Sequence, residues 1–366
     1  MPKVFIIITT WNSEKYLSEL FLSLHEMDYP KEDWHLVAVD NASKDGTLEK
    51  LRAWQIKIHN FDKLIVNGEN RGFSSANNQG IKYAMDNGAD YVVLLNDDTL
   101  VTSNWLNILI DLMENDERLG IAQPLIMRYP EKNKINNFGN ALQYCGFGYS
   151  LGEGLRKEEF FNKNNSKIQN SKFKIQNSYE PSYCSFTAVA IKRHVFETIG
   201  VLDELYFAYH EDTDFCLRAR LQGWKLQAVK NSIVYHNYKF PAKKNKIRYF
   251  WLEKNRIYLM LKFFKIKTLL LIAPACLVIE LGLVIFSIIR GFFWQRAKAY
   301  FWVMKHLFSI LKNRRDIQKA RKFSDKKLFE FIVPTVEFQE IKNPLLDKIG
   351  NPILKCYFKL IKKFVR

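Results

Sequence analysis

The first third of the chain alternates between short apolar runs and longer stretches with apolar residues at helical spacing. Each apolar run has the length of a strand and ends in polar residues, which is typical of a strand leaving a buried core. The runs predicted as strands are residues 4–10, 35–43 (ending at Asp40), 63–72, 91–95 and 121–126. The stretches predicted as helices include residues 14–27, 74–88 and 104–116. This alternation predicts an α/β fold with a parallel central sheet.

Polar side chains mark the ends of four of these strands. Ligands bind beyond the carboxyl ends of parallel strands, so these side chains are candidates for a binding site. The clusters are Thr9, Thr10 and Asn12; Asp40 and Asn41; Asn70 and Arg71; and Asn96, Asp97 and Asp98. Polar turns also end strands that bind nothing, but a carboxylate, an arginine and a carboxylate pair suit a nucleotide diphosphate with a metal ion. The chain has no GxGxxG and no GxxxxGKS/T motif, which excludes a Rossmann fingerprint and a P-loop.

A second ordered region follows a polar, irregular stretch. Residues 150–182 contain the near-repeat NSKIQN and NSKFKIQN, which predicts a variable, low-complexity surface insertion. Residues 209–223 then predict a helix that begins with three acids, Glu211, Asp212 and Asp214. Acids are favoured at helix N-termini for capping alone, so that alternative stays open. The apolar run 225–237 predicts a strand ending at His236, which becomes a metal-ligand candidate only if a carboxylate pair lies nearby.

The charge of the chain is divided between two parts. The formal net charge is +17. Residues 1–238 have 26 Lys and Arg against 30 Asp and Glu, whereas residues 239–366 have 29 against 8. The first part offers no basic groove, so we expect no nucleic-acid partner, and the second is a basic, aromatic-rich tail suited to an anionic membrane surface. The five cysteines are scattered without a CxxC pair, which favours a reducing compartment.

The basic tail contains one long apolar run, residues 268–289. As a helix these 22 residues would span about 33 Å, enough for a bilayer core of about 30 Å. Pro274 and Glu280 within the run, and basic residues on both flanks, disfavour a single span. We therefore expect a re-entrant segment or helical hairpin in which residues 291–311 return along the interface, although a single span stays open. Residues 352–366 predict an interfacial amphipathic helix, with a core or oligomer helix as the alternative.

Five segments, in this order and spacing, resemble family 2 glycosyltransferases of the GT-A fold. They are VFIIITTWNSEKYL, VAVDNASKDGT, NRGFSSANNQGI, LLNDDT and YHEDTDFCLRARLQG. The resemblance covers roughly residues 3–260 and is greatest to bacterial rhamnosyltransferase-like members. It implies a GT-A catalytic domain over residues 1–240, with a mostly parallel central sheet flanked by helices. Residues 241–366 would then form a basic, helical, membrane-associated region.

The resemblance also implies roles for individual residues. Asp98 would bind a divalent metal ion, Mg²⁺ or Mn²⁺, and His236 falls where some members place a further metal ligand. Asp212 would be the general base toward the acceptor hydroxyl, supported by Glu211. Many members have Asp where this chain has Asn96, which puts Asn96 in doubt as a ligand. The residues that would bind the nucleotide-sugar donor are Thr9, Thr10, Asn12, Asp40, Arg71, Gly72 and Asp97.

The activity that the resemblance implies is an inverting, metal-dependent sugar transfer from a dTDP-, UDP- or GDP-sugar, with rhamnose suggested by the subgroup. The basic tail suggests a lipid-linked or polysaccharide acceptor at the cytoplasmic face of the cell membrane. The protein would be peripheral, monotopic or single-span, and a homodimer is compatible with the sequence. Two alternatives stay open. One is a catalytically idle α/β protein that binds anionic membrane or nucleic acid, and the other is a processive polysaccharide synthase, which would need a QxxRW motif that the chain lacks.

Overall fold

The computed structural model describes residues 1–162, 178–237, 246–337 and 344–366. The middle of the predicted low-complexity insertion lies outside the described residues, as does the start of the predicted C-terminal region. The N-terminal flank of the insertion is packed against the domain, since Phe160 is buried beside Phe138, with ring centroids 6.0 Å apart.

The N-terminal half of the central sheet is parallel and alternates with helices, as the pattern of apolar runs predicts. β1 pairs with both β2 and β4, and β2 pairs in turn with β3, all in parallel register. Helical residues lie between successive strands, so each connection crosses over the sheet. The elements are β1 Val4–Thr10, α1 Glu14–His25, β2 Trp34–Asp40, α2 Thr47–Lys57, β3 Phe61–Val66, α3 Gly72–Asp86 and β4 Tyr91–Asn96.

The second half makes the whole sheet mixed. The elements are β5 Thr99–Val101, α4 Trp105–Glu114, β6 Leu119–Arg128, β7 Ile135–Asn137, β8 Asn140–Gln143, β9 Gly148–Ser150, α5 Lys157–Asn162, β10 Ser178–Tyr179, β11 Ala188–Lys192, α6 Arg193–Ile199, α7 Glu211–Gln222 and β12 Lys225–His236. β11 lies between β4 and β6 and is antiparallel to both, while β12 runs parallel to β6. The fold is thus GT-A-like, with a mixed central sheet flanked by helices.

Side chains of the central strand alternate between two cores. Val4, Ile6 and Ile8 of β1 are buried in the core that contains α1 and α4. Phe5 and Ile7 are buried in the core on the other face, with α3 and α7. This period of two is what an extended strand with both faces covered requires.

The C-terminal helices continue the second of these cores. The elements are α8 Lys246–Phe263, α9 Ile266–Ile289, α10 Phe293–Lys305, α11 Leu307–Ala320, α12 Asp325–Leu328, β13 Ile332–Val333 and α13 Asn351–Ile361. Tyr258, Leu259 and Phe263 of α8 belong to the same buried cluster as Phe215 and Leu217 of α7. The C-terminal region is therefore packed onto the sheet domain through α8.

The long apolar helix α9 keeps its one acid on the side that faces the protein. Glu280 Oε2 accepts a hydrogen bond from Arg256 Nη2 at 2.6 Å, and its Oε1 accepts from Arg296 and Tyr300. Both arginines are buried, and Glu280 together with Glu253, which lies 3.1 Å from each of them, compensates their charges in the protein interior. α10 follows α9 after Gly291 and contacts it through Arg296 and Tyr300, which bond to Glu280; insertion of these helices into a membrane stays a prediction.

In the part of the chain that the structure describes, α9 is the one helix long and apolar enough to cross a membrane, judged by length and composition. Of its apolar side chains only Ile272 and Ala275 are buried, and the others are partly or fully exposed. The predicted interfacial helix at residues 352–366 differs from expectation. Leu354, Phe358 and Ile361 are buried in the core, with Phe358 stacked on Tyr144 at 5.3 Å. The core alternative holds for this face, because the helix packs against α9 and β8.

Removing Glu280 tests the charged cluster between α8, α9 and α10. We expect Glu280→Ala to lower the free energy of unfolding by about 3 kcal/mol, because two buried guanidinium groups are left with Glu253 as their one shared anionic partner. Urea unfolding followed by circular dichroism measures the change. Asp316→Ala is the control, since its pair with Arg315 at 3.9 Å is exposed and should contribute less than about 1 kcal/mol. Equal losses in the two variants would contradict a buried charge cluster.

Candidate functional site

The parallel register of β1, β2 and β4 brings the predicted donor-binding residues to one edge of the sheet. Thr10 is paired with Asp40 across β1 and β2, and Thr9 with Asn96 across β1 and β4. Thr10 Oγ1 donates a hydrogen bond to Asp40 Oδ1 at 3.2 Å, and both side chains are buried. The Thr9 hydroxyl is buried with no hydrogen-bond partner. A buried hydroxyl of this kind is costly unless a ligand or water bonds to it, which is what a binding cleft supplies.

Asn12 joins the two loops that follow β1 and β2. Its backbone N–H donates to Ser43 Oγ at 2.9 Å, and its Oδ1 accepts from Lys44 N at 2.8 Å. It has a positive φ of 55°, a conformation that asparagine tolerates better than most residues. Ser43 N in turn donates to Asp40 Oδ2 at 3.2 Å. Hydrogen bonds from Thr10 and Ser43 thus hold both carboxylate oxygens of Asp40 in place.

Asn41 organises the start of α3, a role that the sequence did not reveal. Its Oδ1 accepts from Arg71 N at 3.0 Å, while its Nδ2 donates to Asn70 Oδ1 at 3.0 Å and to the Gly72 carbonyl at 3.3 Å. The Arg71 side chain is exposed beside this network. Gly72 has a φ of +80°, and a Cβ there would lie 2.6 Å from the Phe207 carbonyl oxygen. The α3 N-terminus therefore abuts the loop that precedes α7.

The two adjacent acids after β4 have different partners. Asp97 Oδ2 accepts hydrogen bonds from Ser13 Oγ and from Trp11 N, the latter at 3.4 Å. Burial and the neighbouring Asp98 raise the pKa of Asp97 to about 7. Asp97 thus ties the end of β4 to the turn between β1 and α1.

Asp98 meets His236 because the short strand β5 pairs with the end of β12. Thr99, the residue after Asp98, is opposite His236 in this antiparallel pair. Asp98 Oδ1 lies 3.0 Å from His236 Nε2 and has no hydrogen bond, although it is buried. His236 Nδ1 lies 2.8 Å from Asn136 Oδ1, an acceptor, so Nδ1 bears a proton and Nε2 is the nitrogen that faces Asp98.

These two side chains fit a divalent metal ion. Octahedral ligands at about 2.1 Å from Mg²⁺ lie about 3.0 Å from one another when they are adjacent, which matches the separation of Asp98 Oδ1 and His236 Nε2. Within the described ranges no group of three or more His, Cys, Asp or Glu side chains could hold a metal. Mg²⁺ commonly takes one or two protein ligands and completes its shell with phosphate oxygens and water. The pair therefore suits an ion shared with a diphosphate.

The predicted general base lies at the start of α7. Asp212 is half-buried, and its Oδ1 accepts from Thr213 N at 2.6 Å. Burial raises the pKa of Asp212 to about 6, while burial and the Asp212 carboxylate raise the pKa of Glu211 to about 8. Near pH 7 Asp212 is ionised and Glu211 holds a proton, so the pair avoids two adjacent buried charges. Only Asp212 can then accept a proton.

Side chains of α8 hold the loop that leads into α7. Lys254 Nζ donates to the Leu205 carbonyl at 2.7 Å, and Asn255 Nδ2 donates to the carbonyls of Ala208 and Tyr209 at 2.8 and 2.7 Å. Phe207 stacks on Trp251 with ring centroids 5.0 Å apart. Sequence reasoning missed these residues. No local signal marked them, because Lys254 and Asn255 stand between the charged residues Glu253 and Arg256.

Backbone contacts connect this loop to the donor cleft. Phe73 N, at the start of α3, donates to the Phe207 carbonyl at 2.7 Å. Asn96 N, at the end of β4, donates to the Thr187 carbonyl at 2.9 Å. Tyr183, four residues earlier, lies beside Asp212, whose charge raises the pKa of the buried phenol. Residues 183–187, which reach at most about 14 Å, therefore connect the surroundings of Asp212 to the end of β4, and a cleft shared by Asp212 and Asp98 stays a prediction.

Comparison with known sequences identifies the fold and the class of enzyme. A sequence model described as Glycosyl transferase family 2 matches residues 5–200, more than half of the chain. The chain belongs to glycosyl transferase family 2. This membership favours a transferase over the catalytically idle binding protein.

Two family 2 relatives are rhamnosyltransferases by name. The dTDP-rhamnosyl transferase RfbF of Shigella flexneri is 25% identical over 234 residues, which cover 64% of this chain and 68% of that protein. The rhamnosyltransferase WbbL of Escherichia coli (strain K12) is 25% identical over 233 residues, which cover 62% of this chain and 80% of that protein. The chain is thus a glycosyltransferase whose relatives include rhamnosyl and hexosyl transferases.

A solved structure shares the fold across most of the chain. The mannosyltransferase PcManGT from Pyrobaculum calidifontis, in complex with GDP-Man and Mn²⁺, aligns with a TM-score of 0.52 and 16% identity. The alignment covers 87% of this chain and 86% of that one. It extends beyond the parallel strands into the C-terminal helices, so the similarity of fold includes most of both halves.

Substituting Gly72 tests the contact between α3 and the loop before α7. We expect Gly72→Ala to lower the free energy of unfolding by about 3 kcal/mol, because the new Cβ meets backbone in addition to the strain of a positive φ. Gly88→Ala is the matched control. Its φ is +78°, and a Cβ there would have nothing within 4 Å, so only about 1 kcal/mol should be lost. Urea unfolding of both variants measures the two losses. Similar losses would show that the Phe207 carbonyl does not lie close enough to residue 72 to obstruct a Cβ.

Proposed function

We propose that the protein transfers a sugar, with inversion, from a nucleotide sugar bound with Mg²⁺ or Mn²⁺ to a lipid-linked or polysaccharide acceptor. The observation that supports this is the pair formed by Asp98 and His236 at 3.0 Å, and we propose that Asp212 faces the same cleft. An acid that can share a cation and an acid that can accept a proton are the two groups that such a transfer needs.

The donor would lie along the cleft formed by the ends of β1, β2 and β4. Three groups offer contacts for the base, ribose and diphosphate of the donor. They are the unpaired Thr9 hydroxyl, the hydrogen-bonded Asp40 carboxylate and the exposed Arg71 side chain. Thr10, Asn12, Gly72 and Asp97 would shape this cleft. A dTDP-rhamnose donor is favoured by the names of RfbF and WbbL, and a GDP-sugar by the structural similarity to PcManGT.

Asp98 and His236 would hold the divalent ion, with Asn136 orienting the imidazole. Breakage of the anomeric C–O bond expels a nucleoside diphosphate with growing negative charge, which a bound Mg²⁺ or Mn²⁺ stabilises. Asp98 contributes a carboxylate close to this charge, and His236 contributes a neutral nitrogen. The net charge of the two ligands is therefore −1, which leaves the ion positive toward the diphosphate.

Asp212 would accept the proton of the acceptor hydroxyl as that oxygen bonds to the anomeric carbon. A sugar hydroxyl is a poor nucleophile near neutral pH, and a positioned carboxylate contributes roughly 10²–10⁴-fold to the rate. Glu211, protonated beside it, keeps a second negative charge away from the base. Attack from the side opposite the departing diphosphate gives inversion.

The acceptor would be presented at a membrane surface on the cytoplasmic face. The apolar side chains of α9 that point away from the protein include Leu270, Leu277, Leu281 and Ile285, each more than half exposed. Lysines precede α9 and arginines follow it, which suits anionic lipid headgroups. We propose a peripheral, monotopic attachment in which the hairpin of α9 and α10 enters the interface.

Replacing Asp98 tests the metal site. We expect Asp98→Ala to weaken nucleotide binding in the presence of Mn²⁺ by about 10-fold or more, because the ion loses its carboxylate. Calorimetric titration of dTDP, UDP and GDP, with and without Mn²⁺, measures this. Asp111→Ala, an exposed acid on α4, is the control and should bind as the unaltered protein does. Full retention of the Mn²⁺ effect in Asp98→Ala would reject the site.

Replacing Asp212 tests the base. We expect Asp212→Asn to lower kcat by about 10²–10⁴-fold with nucleotide-sugar affinity unchanged. The unaltered enzyme should lose kcat as the pH falls through about 6, the raised pKa of Asp212, because the protonated acid cannot accept a proton. Glu211, Tyr183 and Cys216 are the titratable groups beside it, and burial raises the pKa of each. A residual activity of Asp212→Asn that still titrates near pH 6 would assign the base elsewhere.

A further inference from the structure

A groove of about 440 Å³ lies between the first turns of α8 and one face of α10. Its wall and floor include three aromatic side chains, Phe250, Phe301 and Trp302. Its rim has three lysines, Lys246, Lys298 and Lys305. The volume falls in the range of small-molecule sites, about 300–1,000 Å³. None of the residues discussed so far for donor or metal binding lines this groove.

The three lysines have no anionic partner. In the ranges that the structure describes, no Asp or Glu lies within ion-pair distance of any of them, and no acid lines the groove. All three are exposed. Like charges around one concave surface repel each other, and the ammonium group on its long stem is a common ligand of phosphate. An anion with phosphate chemistry is therefore the complementary ligand.

The floor of the groove is apolar and fixed. The Trp302 ring is stacked on His306 at 4.2 Å, and Lys254 Nζ lies 4.2 Å from the ring centroid. Phe301 in the wall of the groove remains 64% exposed. Beyond it α10 and α11 continue with further exposed apolar side chains, among them Met304 and Phe308. A ligand with an apolar chain as well as an anionic head would bury this surface, which a simple anion would leave in water.

The groove adjoins the loop that precedes the general base. Consecutive residues of a helix point about 100° apart, so Phe250 faces the groove while Trp251 stacks on Phe207. Lys254 connects the same two sides, since it lies over Trp302 and donates to the Leu205 carbonyl. One helix therefore separates the groove from the loop that leads to Asp212.

We propose that this groove binds the phosphate and the first prenyl units of a lipid-linked acceptor, a long-chain prenyl phosphate or diphosphate. Lys246, Lys298 and Lys305 contact the phosphate, and Phe250, Phe301 and Trp302 contact the chain. The assignment of this lipid to the acceptor rests on the proposed transferase function, whereas binding of the lipid can be measured by itself. The groove then sets where along the membrane surface the acceptor sugar meets Asp212.

Calorimetric titration of the full chain with farnesyl diphosphate tests the proposal. The triple variant Lys246→Gln, Lys298→Gln, Lys305→Gln should bind about 100-fold more weakly, at roughly a five-fold loss for each lysine. The control triple variant Lys312→Gln, Lys319→Gln, Lys326→Gln removes the same charge from exposed lysines outside the groove and should bind within about twofold of the unaltered protein. Equal weakening in the two triple variants would overturn the groove as the site.

Three further ligands separate the lipid phosphate from other sources of the same chemistry. Inorganic diphosphate and farnesol should each bind at least about tenfold more weakly than farnesyl diphosphate. Phe301→Ala should weaken binding of farnesyl diphosphate and leave that of diphosphate unchanged. Vesicles of phosphatidylglycerol should bind both triple variants alike. If inorganic diphosphate binds as tightly as farnesyl diphosphate, the groove is a plain anion site. If only the groove variant loses binding to vesicles, the groove is a phospholipid site. Either result rejects the proposal.

Binding of dTDP with Mn²⁺ to the same variants distinguishes this proposal from the proposed function. The groove variant should bind nucleotide and metal as the unaltered protein does, because its lysines lie on the opposite side of α8 from the loop before Asp212. Loss of farnesyl diphosphate binding with nucleotide binding intact supports the groove. Absence of Mn²⁺-dependent nucleotide binding in the unaltered protein would reject the transferase mechanism and leave the lipid result standing.

Discussion

The hydrogen bonds from Lys254 and Asn255 to the loop at residues 205–209 are the interaction on which the rest of the structure depends. Phe207, Tyr209 and His210 all have positive φ values, between 63° and 68°, which side chains other than glycine seldom adopt. Such strain persists only where surrounding contacts compensate it. Two buried polar side chains of α8 supply these contacts. Burial lowers the pKa of Lys254 to about 8, so near pH 7 it is still mainly a cation that donates.

This junction joins the C-terminal helices to the proposed catalytic residues. The loop carries the chain into Glu211 and Asp212, and its Phe207 carbonyl also accepts the hydrogen bond from the start of α3. α8 therefore sets the position of the proposed general base relative to the proposed donor cleft. The same helix forms one wall of the basic groove, and Arg256 on it binds Glu280 of α9. The elements proposed to contact lipid are thus connected to the active site by packing within one helix.

Two pairs of adjacent acids occur at the site, Asp97 with Asp98 and Glu211 with Asp212. In each pair the two carboxyl groups have different surroundings. In one pair Asp97 bonds to the β1–α1 turn while Asp98 faces His236. In the other Glu211 is buried with a pKa near 8 while Asp212 stays partly accessible. Two neighbouring carboxylates in a buried cleft are tolerable only when their environments differ. This explains why the sequence can place acids side by side at a strand end and at a helix start.

Much of the sheet and of the site could be predicted because it is local. Apolar runs of strand length predicted β1 to β4. The polar residues that follow these runs supplied the candidates Thr10, Asp40 and Asp98. Contacts between distant segments could not be predicted in the same way. Asn136 of β7 orients His236, which lies 100 positions away in the sequence. No periodic pattern of apolar residues predicts this contact. The amphipathic pattern at residues 352–366 was correct, but a pattern of this kind does not state whether protein or lipid covers its apolar face.

The distribution of charge over α9 argues that something other than water covers its outer side. A helix on the surface of a soluble domain buries its apolar side chains and exposes its charges. In α9 the one acid faces two buried arginines, whereas Leu270, Leu277, Leu281 and Ile288 are each at least 60% exposed. A contiguous apolar face of this length is unfavourable in water and typical of an interaction surface. Because the flanks are basic and the neighbouring groove has both lysines and aromatic rings, an anionic lipid surface accounts for helix and groove together.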